Sequence, residues 1–260
     1  MASQFGRRIQ TVIDRVRGKH RTARDPFGVS ARDARALVTP SVELERLFYA
    51  NKGKIAHKWH HYLEIYDRHF QRFRRPRSHP VRILELGISG GGSLQVWRKY
   101  FGVDAKIVGI DIDPVCLDRV DPDTPAVIGD QSDPAVLAKA LAKLGGGVDI
   151  VIDDGSHLGR HQIASFEYLY PRLSEDGIYV CEDLLYSYSP EFEGGYRKEG
   201  TFIEYTKSLI DRLHAWHLEG DLKTANMDFA QTTYGIFIHL DMIVIERRRT
   251  ERPFHVRINE

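Results

Sequence analysis

Short apolar runs that end in an acid, each followed by a helical stretch, constrain this chain more than any other feature. VRILELG (81–87), AKIVGIDID (105–113), PAVIGDQSD (125–133), VDIVID (148–153) and GIYVCED (177–183) each read as a strand. Continuous β-branched runs of this kind suit strands covered on both faces, as in a parallel sheet. Helical patterns fill the gaps at Leu94–Tyr100, Pro114–Leu117, Asp133–Leu144 and Gln162–Leu173. Asp133-Pro134 opens the third of these and Gly145–Gly147 closes it, the usual asymmetry of helix ends. FIHLDMIVIE (237–246) reads as a closing strand, with a partner near Asp228–Thr233. Strands alternating with helices at this spacing predict an α/β fold with a doubly wound, mostly parallel sheet and right-handed crossovers. Seven strands is the count reached in this way.

Two further segments flank that pattern. Residues 1–40 are a basic leader, with Ile9, Val12, Ile13 and Val16 at helical spacing among arginines. An amphipathic helix packed on its own domain or on a second subunit is the expectation there. Residues 41–73 read as helical, a cap ahead of the first strand, and carry His57, His60, His61 and His69. His57 and His61 would share a helix face, but no Glu or Cys stands at zinc-site spacing. Structural or substrate-contacting histidines are expected instead. The chain therefore divides into an N-terminal helical extension (1–75), a catalytic domain (76–250) and a tail (251–260).

Composition narrows the partners. At 260 residues and a formal net charge of +1, nothing points to nucleic acid. No apolar run approaches the ~20 residues needed to span a bilayer. Two cysteines, Cys116 and Cys181, argue against a disulfide scaffold. MASQFGRRIQ lacks the apolar core of a signal peptide, so a cytoplasmic protein is expected. Arginine outnumbers lysine, a usage typical of high-GC bacteria.

In parallel sheets ligands bind past the carboxyl ends of the strands, and the acids stand there. ELGISGGGS, Glu85–Ser93, is a glycine-rich strand-to-helix turn, where glycines permit close approach and a helix start offers N–H groups. Gly87, Gly90, Gly91 and Gly92 do not match the dinucleotide fingerprint. Glu85 is unhelpful beside a pyrophosphate but helpful beside a sulfonium and an amino group. Asp111 at the second strand end can accept ribose hydroxyls, and Asp130 at the third can take an adenine amino group. Together these predict an adenosine-type cofactor.

The decisive pair of acidic pairs is Asp153–Asp154 and Glu182–Asp183. Strands four and five are expected to be neighbours, about 5 Å apart. Packing that many carboxylates in one crevice is costly unless a cation neutralises them. An all-oxygen site suits Mg²⁺. Asp154, Glu182 and Asp183 are the expected ligands, with Asp153 turned towards the cofactor. His157 follows on the same turn, placed to take a proton from a metal-bound hydroxyl.

These motifs resemble a known family. LELGISGGGSLQVWRKYF, GIDIDP, GDQSD, IDDGSH, SFEYLYPRLSEDGIYVCEDL and YSYSPEFEGG are similar to segments of the metal-dependent class I sugar O-methyltransferases of natural-product pathways. Those acting on macrolide deoxysugars and rhamnosyl groups are the nearest comparison. HKWHHYLEIYDRHF resembles the stretch before their first strand, and the likeness covers about residues 50–247. The resemblance implies a Rossmann-like fold, S-adenosylmethionine and Mg²⁺. It implies Glu85, Gly87, Ser93, Asp111, Asp130, Gln131 and Asp153 around the cofactor, Asp154, Glu182 and Asp183 on the metal, and His157 as base. Ser89 stands where many class I methyltransferases have glycine. The Tyr- and Gly-rich loop 184–200, with Tyr186, Tyr188 and Tyr196, is an expected wall of the acceptor pocket. The implied activity is methylation of a sugar hydroxyl on a saccharide or glycosylated small molecule; the basic leader adds the expectation of a homo-oligomer. A nicotinamide-dependent oxidoreductase and a non-catalytic polyanion- or membrane-associated protein are the alternatives.

Overall fold

The computed structural model describes residues 28–258, apart from 31, 32, 35 and 36. The expected leader helix around Ile9–Val16 lies outside the described residues. Contacts divide the chain into two units, one reaching to Gly146 and one beginning at Gly147.

The first unit starts with helices α1 (Glu43–Tyr49) and α2 (His60–Phe70). The helical reading of 41–73 is thus interrupted, because residues 51–59 take no regular structure. Asn51 and Gly53 in that stretch are poor helix formers. α2 buries Tyr62, Leu63, Tyr66 and Phe70, spaced as a helix that packs along one stripe. Tyr66 and Phe70 lie against Trp97 at centroid distances of 5.1 and 5.9 Å. Strands β1 (Arg82–Leu86), β2 (Lys106–Asp111) and β3 (Ala126–Ile128) then pair in parallel, with β2 between the other two. Helix α3 (Gly92–Phe101) follows β1, and α4 (Pro134–Leu144) follows β3. α4 has the predicted ends: Asp133 accepts a hydrogen bond from the Ala135 N–H, and Gly145 closes it at φ 94°.

In the second unit, β4 (Val148–Asp153) pairs in parallel with β5 (Leu173–Cys181), and helix α5 (Gly159–Leu169) connects them. Every residue of β4 is buried, as a doubly covered strand requires. Helices α6 (Phe202–Leu213) and α7 (Gly220–Thr232) precede the last two strands. The segment expected to be one closing strand is a hairpin. β6 (Thr233–His239) and β7 (Met242–Arg247) are antiparallel, and β7 also pairs antiparallel with β5. Asp241 makes the reversal at φ 58°, a left-handed position that Asp tolerates better than most residues. The partner expected near Asp228 is the end of α7 instead. Among the described residues there are seven strands, mostly parallel and interleaved with helices, which match the α/β class expected from the sequence.

Candidate functional site

At the β1 and β2 ends of the first unit, the acids are already engaged by their own chain. Glu85 is fully buried. One oxygen accepts a hydrogen bond from the Ser93 hydroxyl at 2.8 Å, and the other lies 3.5 Å from the Lys58 ammonium. The Lys58 side chain is 3% exposed. Asp111 accepts from the Ile88 and Ser89 N–H groups through Oδ2, at 2.9 and 3.0 Å, and from the Asp113 N–H through Oδ1. It therefore ties the glycine-rich loop to the end of β2. Asp130 makes a tight local turn, accepting from both the backbone N–H and hydroxyl of Ser132, and Gln131 beside it is buried.

The glycines of this loop serve a purpose the sequence did not suggest. Gly87 sits at φ 96° directly after β1, a conformation that suits glycine. At Gly90 and Gly92, however, a Cβ would overlap the Ile55 backbone, and at Gly91 the Arg119 carbonyl. The Gly92 N–H donates to the Ile55 carbonyl at 3.0 Å. The close approach is thus made by residues 54–56 and 119 of the same chain. Ser89 stands at φ 47°, so the departure from glycine falls on a left-handed position where glycine costs least.

The β4 and β5 ends of the second unit are arranged differently. The register sets Asp153 opposite Cys181, which brings Asp154 and the Glu182–Asp183 pair to the same depth. Asp153 is fully buried and accepts from the Tyr179 hydroxyl at 2.8 Å. Burial, with Asp153 adding to it, pushes the Tyr179 hydroxyl well above its ordinary pKa. Asp154, His157 and Asp183 each bring a ligand atom within 4.8 Å of the other two. Nε2 of His157 lies 4.0 Å from Asp154 and 3.7 Å from Asp183. Glu182, the third expected ligand, is buried, its N–H on the Asp153 carbonyl, and lies outside that group.

Two of these residues hold unusual backbone. His157 has φ 57° and Asp183 φ 55°. Left-handed conformations in residues other than glycine carry strain and gather at functional sites. His157 is 6% exposed, stacked on Tyr186 at 5.1 Å and edge-on to Phe192 at 6.2 Å. Tyr186 was anticipated as a site residue. Phe192 and Lys58 were missed, because an isolated aromatic or lysine in a loop carries no sequence signal. The histidines of α2 form no cluster. His57 lies before the helix begins, and His60 shares a hydrogen bond with the Tyr49 hydroxyl at 2.9 Å.

Two close carboxylates and a histidine fit a small hard cation: the carboxylates supply oxygens, and water completes such a shell. At the first unit's strand ends, the buried acid at β1, the loop-bound acid at β2 and the Gly87 turn fit an adenosyl cofactor with a cationic end.

No family model matches the sequence. Among curated proteins, the chain is 36% identical over 201 residues to 8-demethyl-8-alpha-L-rhamnosyl tetracenomycin-C 2'-O-methyltransferase of Streptomyces olivaceus. That match covers 74% of this chain and 52% of the relative. It is 34% identical over 203 residues to mycinamicin VI 2''-O-methyltransferase of Micromonospora griseorubida, covering 74% and 49%. The chain thus spans about half the length of the curated relatives it matches. Among solved structures, it is similar to the MycE methyltransferase of the mycinamycin biosynthetic pathway in complex with Mg and SAH. The TM-score is 0.68 at 31% identity, over 81% of this chain and 55% of that one. A second MycE structure, which also holds mycinamycin VI, gives 0.64. The chain is therefore a homologue, over about half of their length, of the sugar O-methyltransferases of macrolide and tetracenomycin pathways, and has the class I methyltransferase fold.

Proposed function

We propose that this protein is an S-adenosylmethionine-dependent, Mg²⁺-assisted O-methyltransferase that methylates a sugar hydroxyl of a glycosylated metabolite or saccharide. The observation that carries the reading is the gathering of Asp154, His157 and Asp183 at adjoining strand ends. Homology to enzymes named for rhamnosyl and macrolide sugar methylation supports the acceptor class.

When bound, S-adenosylmethionine supplies an electrophilic methyl group and Mg²⁺ makes a sugar hydroxyl more acidic. The chain supplies the rest. Asp154 and Asp183 hold the cation, with Glu182 as the third expected ligand. His157, whose Nε2 faces both aspartates, removes the proton from the acceptor hydroxyl at that nitrogen. Stacking on Tyr186 and the edge contact with Phe192 fix the ring plane, and so the direction of proton transfer. Holding both reactants in line replaces a bimolecular encounter. Glu85, Gly87, Ser93, Asp111, Asp130, Gln131 and Asp153 form the cofactor side. Residues 184–200 wall the acceptor. The protein works as a homo-oligomer in the cytoplasm; no described helix is long and apolar enough to cross a membrane.

A methyl-transfer screen over rhamnosylated and deoxysugar-bearing acceptors, with Mg²⁺ and with EDTA, tests this. Product that depends on both S-adenosylmethionine and the metal is expected. Failure to bind S-adenosylmethionine, or full turnover in chelator, would overturn it.

A further inference from the structure

The turn that carries His157 is braced from the helix that follows it. His157 stands at φ 57°, and a left-handed residue other than glycine persists only where its surroundings over-determine it. Part of the bracing is local: the Leu158 N–H donates to the Ser156 hydroxyl oxygen at 3.4 Å, across residue 157. The same oxygen lies 2.9 Å from Nδ1 of His161, in the first turn of α5. On the other side of that ring, Nε2 lies 2.8 Å from the Arg160 guanidinium. A guanidinium carries donors and no acceptor. Nε2 therefore accepts, the ring proton sits on Nδ1, and Nδ1–H donates to Ser156. The His161 backbone is tied as well, its N–H to the Leu158 carbonyl and its carbonyl to the Ser165 hydroxyl, both at 2.9 Å. The same helix start meets the loop 184–200 and the residue after it. Arg160 reaches Glu193 at 3.3 Å, beside the Phe192 that lies edge-on to the His157 ring. A Cβ on Gly159 would overlap the Gly200 carbonyl and Thr201.

We infer that His161 is a positioning residue for the proton transfer: held as the Nδ1–H tautomer by Arg160, it braces Ser156 and so fixes the turn that presents the His157 imidazole. The inference rests on the proposed role of His157 as the base. Both ring nitrogens of His161 are engaged, by Ser156 and by Arg160, so its effect on the reaction passes through the turn rather than through a proton of its own. The exposed Arg160–Glu193 pair adds little stability. Its place matters more, because it joins the ring that braces the base to the loop proposed to wall the acceptor.

Nitrogen NMR of the histidine rings, on the full chain in mildly alkaline buffer, should show the His161 proton on Nδ1; a proton on Nε2 would overturn the inference. The His157 ring protons should stand upfield in the wild type, shielded by the stacked Tyr186. In His161→Phe, which keeps a ring but removes both nitrogens, that shielding should fall. In His161→Asn, whose amide N–H replaces Nδ1–H, it should return. Shielding left unchanged in His161→Phe counts against the inference, whatever the turnover. Methyl transfer should follow the same order. The kcat of His161→Phe should drop by up to about 10²-fold, the cost of displacing a reacting group by about 1 Å, and His161→Asn should recover most of it. S-adenosylmethionine affinity should stay unchanged in both; an equal loss of that affinity would mean a merely structural residue. If His161→Phe does not fold, Arg160→Met takes its place: the same losses of shielding and kcat are expected, and wild-type values of both would overturn the inference. A wild type that methylates no sugar acceptor would sink the proposed function and the inference with it, whereas missing ring signatures in an active enzyme sink the inference alone.

Discussion

The two acid-bearing ends of this molecule follow opposite rules. In the first unit, each acid at β1 and β2 is met by donors from its own chain: Ser93 and Lys58 for Glu85, and three backbone N–H groups for Asp111. In the second, Asp154 and Asp183 gather around one imidazole. Carboxylates that are already bonded shape a loop and fix its geometry. Carboxylates that crowd one another call for a cation. The same residue types, at the ends of similar strands, are thus braced by donors of their own chain in one place and gathered around an imidazole in the other.

The largest expected effect falls in the second unit. His157→Ala should lower methyl transfer by roughly 10²–10⁴, the usual contribution of a general base, while S-adenosylmethionine affinity measured by calorimetry stays unchanged. Loss of cofactor binding to the same degree would erase the distinction between the two ends. Next, saturating Mg²⁺ should raise the stability of the wild type, by about 2.7 kcal/mol at a hundredfold excess over Kd. Asp154→Asn and Asp183→Asn should lose that gain in thermal melts. A gain that persists in both variants would mean the cation sits elsewhere.

Substitutions in the first unit should cost stability instead. Asp111→Ala strands the buried Ile88 and Asp113 N–H groups, and each buried group left unsatisfied costs about 1–3 kcal/mol. Gly92→Ala forces a Cβ into the Ile55 backbone, and overpacking of this sort costs roughly 1–3 kcal/mol. Denaturant midpoints read both. An unchanged midpoint for Gly92→Ala would show that residues 54–56 are not held against the glycine loop.

The smallest effect compares the two cysteines, one beside each end. Burial first, then Asp111, pushes the Cys116 thiol up to about 12 from 9.0. Burial and then Asp153 raise Cys181 well above the same value. Both native pKa values lie above the unfolded one, so the native state keeps protons that the unfolded chain loses. Their contribution to stability is therefore complete below about pH 9 and is lost as pH rises from there. Denaturant midpoints between pH 8 and pH 11 should fall, and neither thiol should react with a disulfide reagent at pH 8 without denaturant. Rapid labelling of Cys116 alone would show that the loop tied by Asp111 opens readily.

Much of this was legible in the sequence because it is local. The β-branched run of β4, the Asp133-Pro134 entry to α4 and its Gly145 exit are set by residues within a few positions of one another. Acids at strand ends followed directly once the strands were placed. The hairpin at Asp241 was missed, since FIHLDMIVIE keeps its apolar character across the turn and Asp is not a strong breaker. Asp153, the last residue of β4, faces Tyr179 in the core and Asp154, just past the strand, faces the imidazole; sequence spacing gives neither partner.

By itself, then, the sequence determined the α/β alternation, the parallel strands and the set of acids at their ends, since each depends on short-range pattern and on the period of strand or helix. Only the tertiary structure decided which partners each acid meets. That depends on residues far apart in the chain: Lys58 on Glu85, Ile55 against Gly92, and Asp183 brought beside Asp154 by the register of β4 and β5. Sequence spacing carries no record of such contacts, because they form only when separate segments pack.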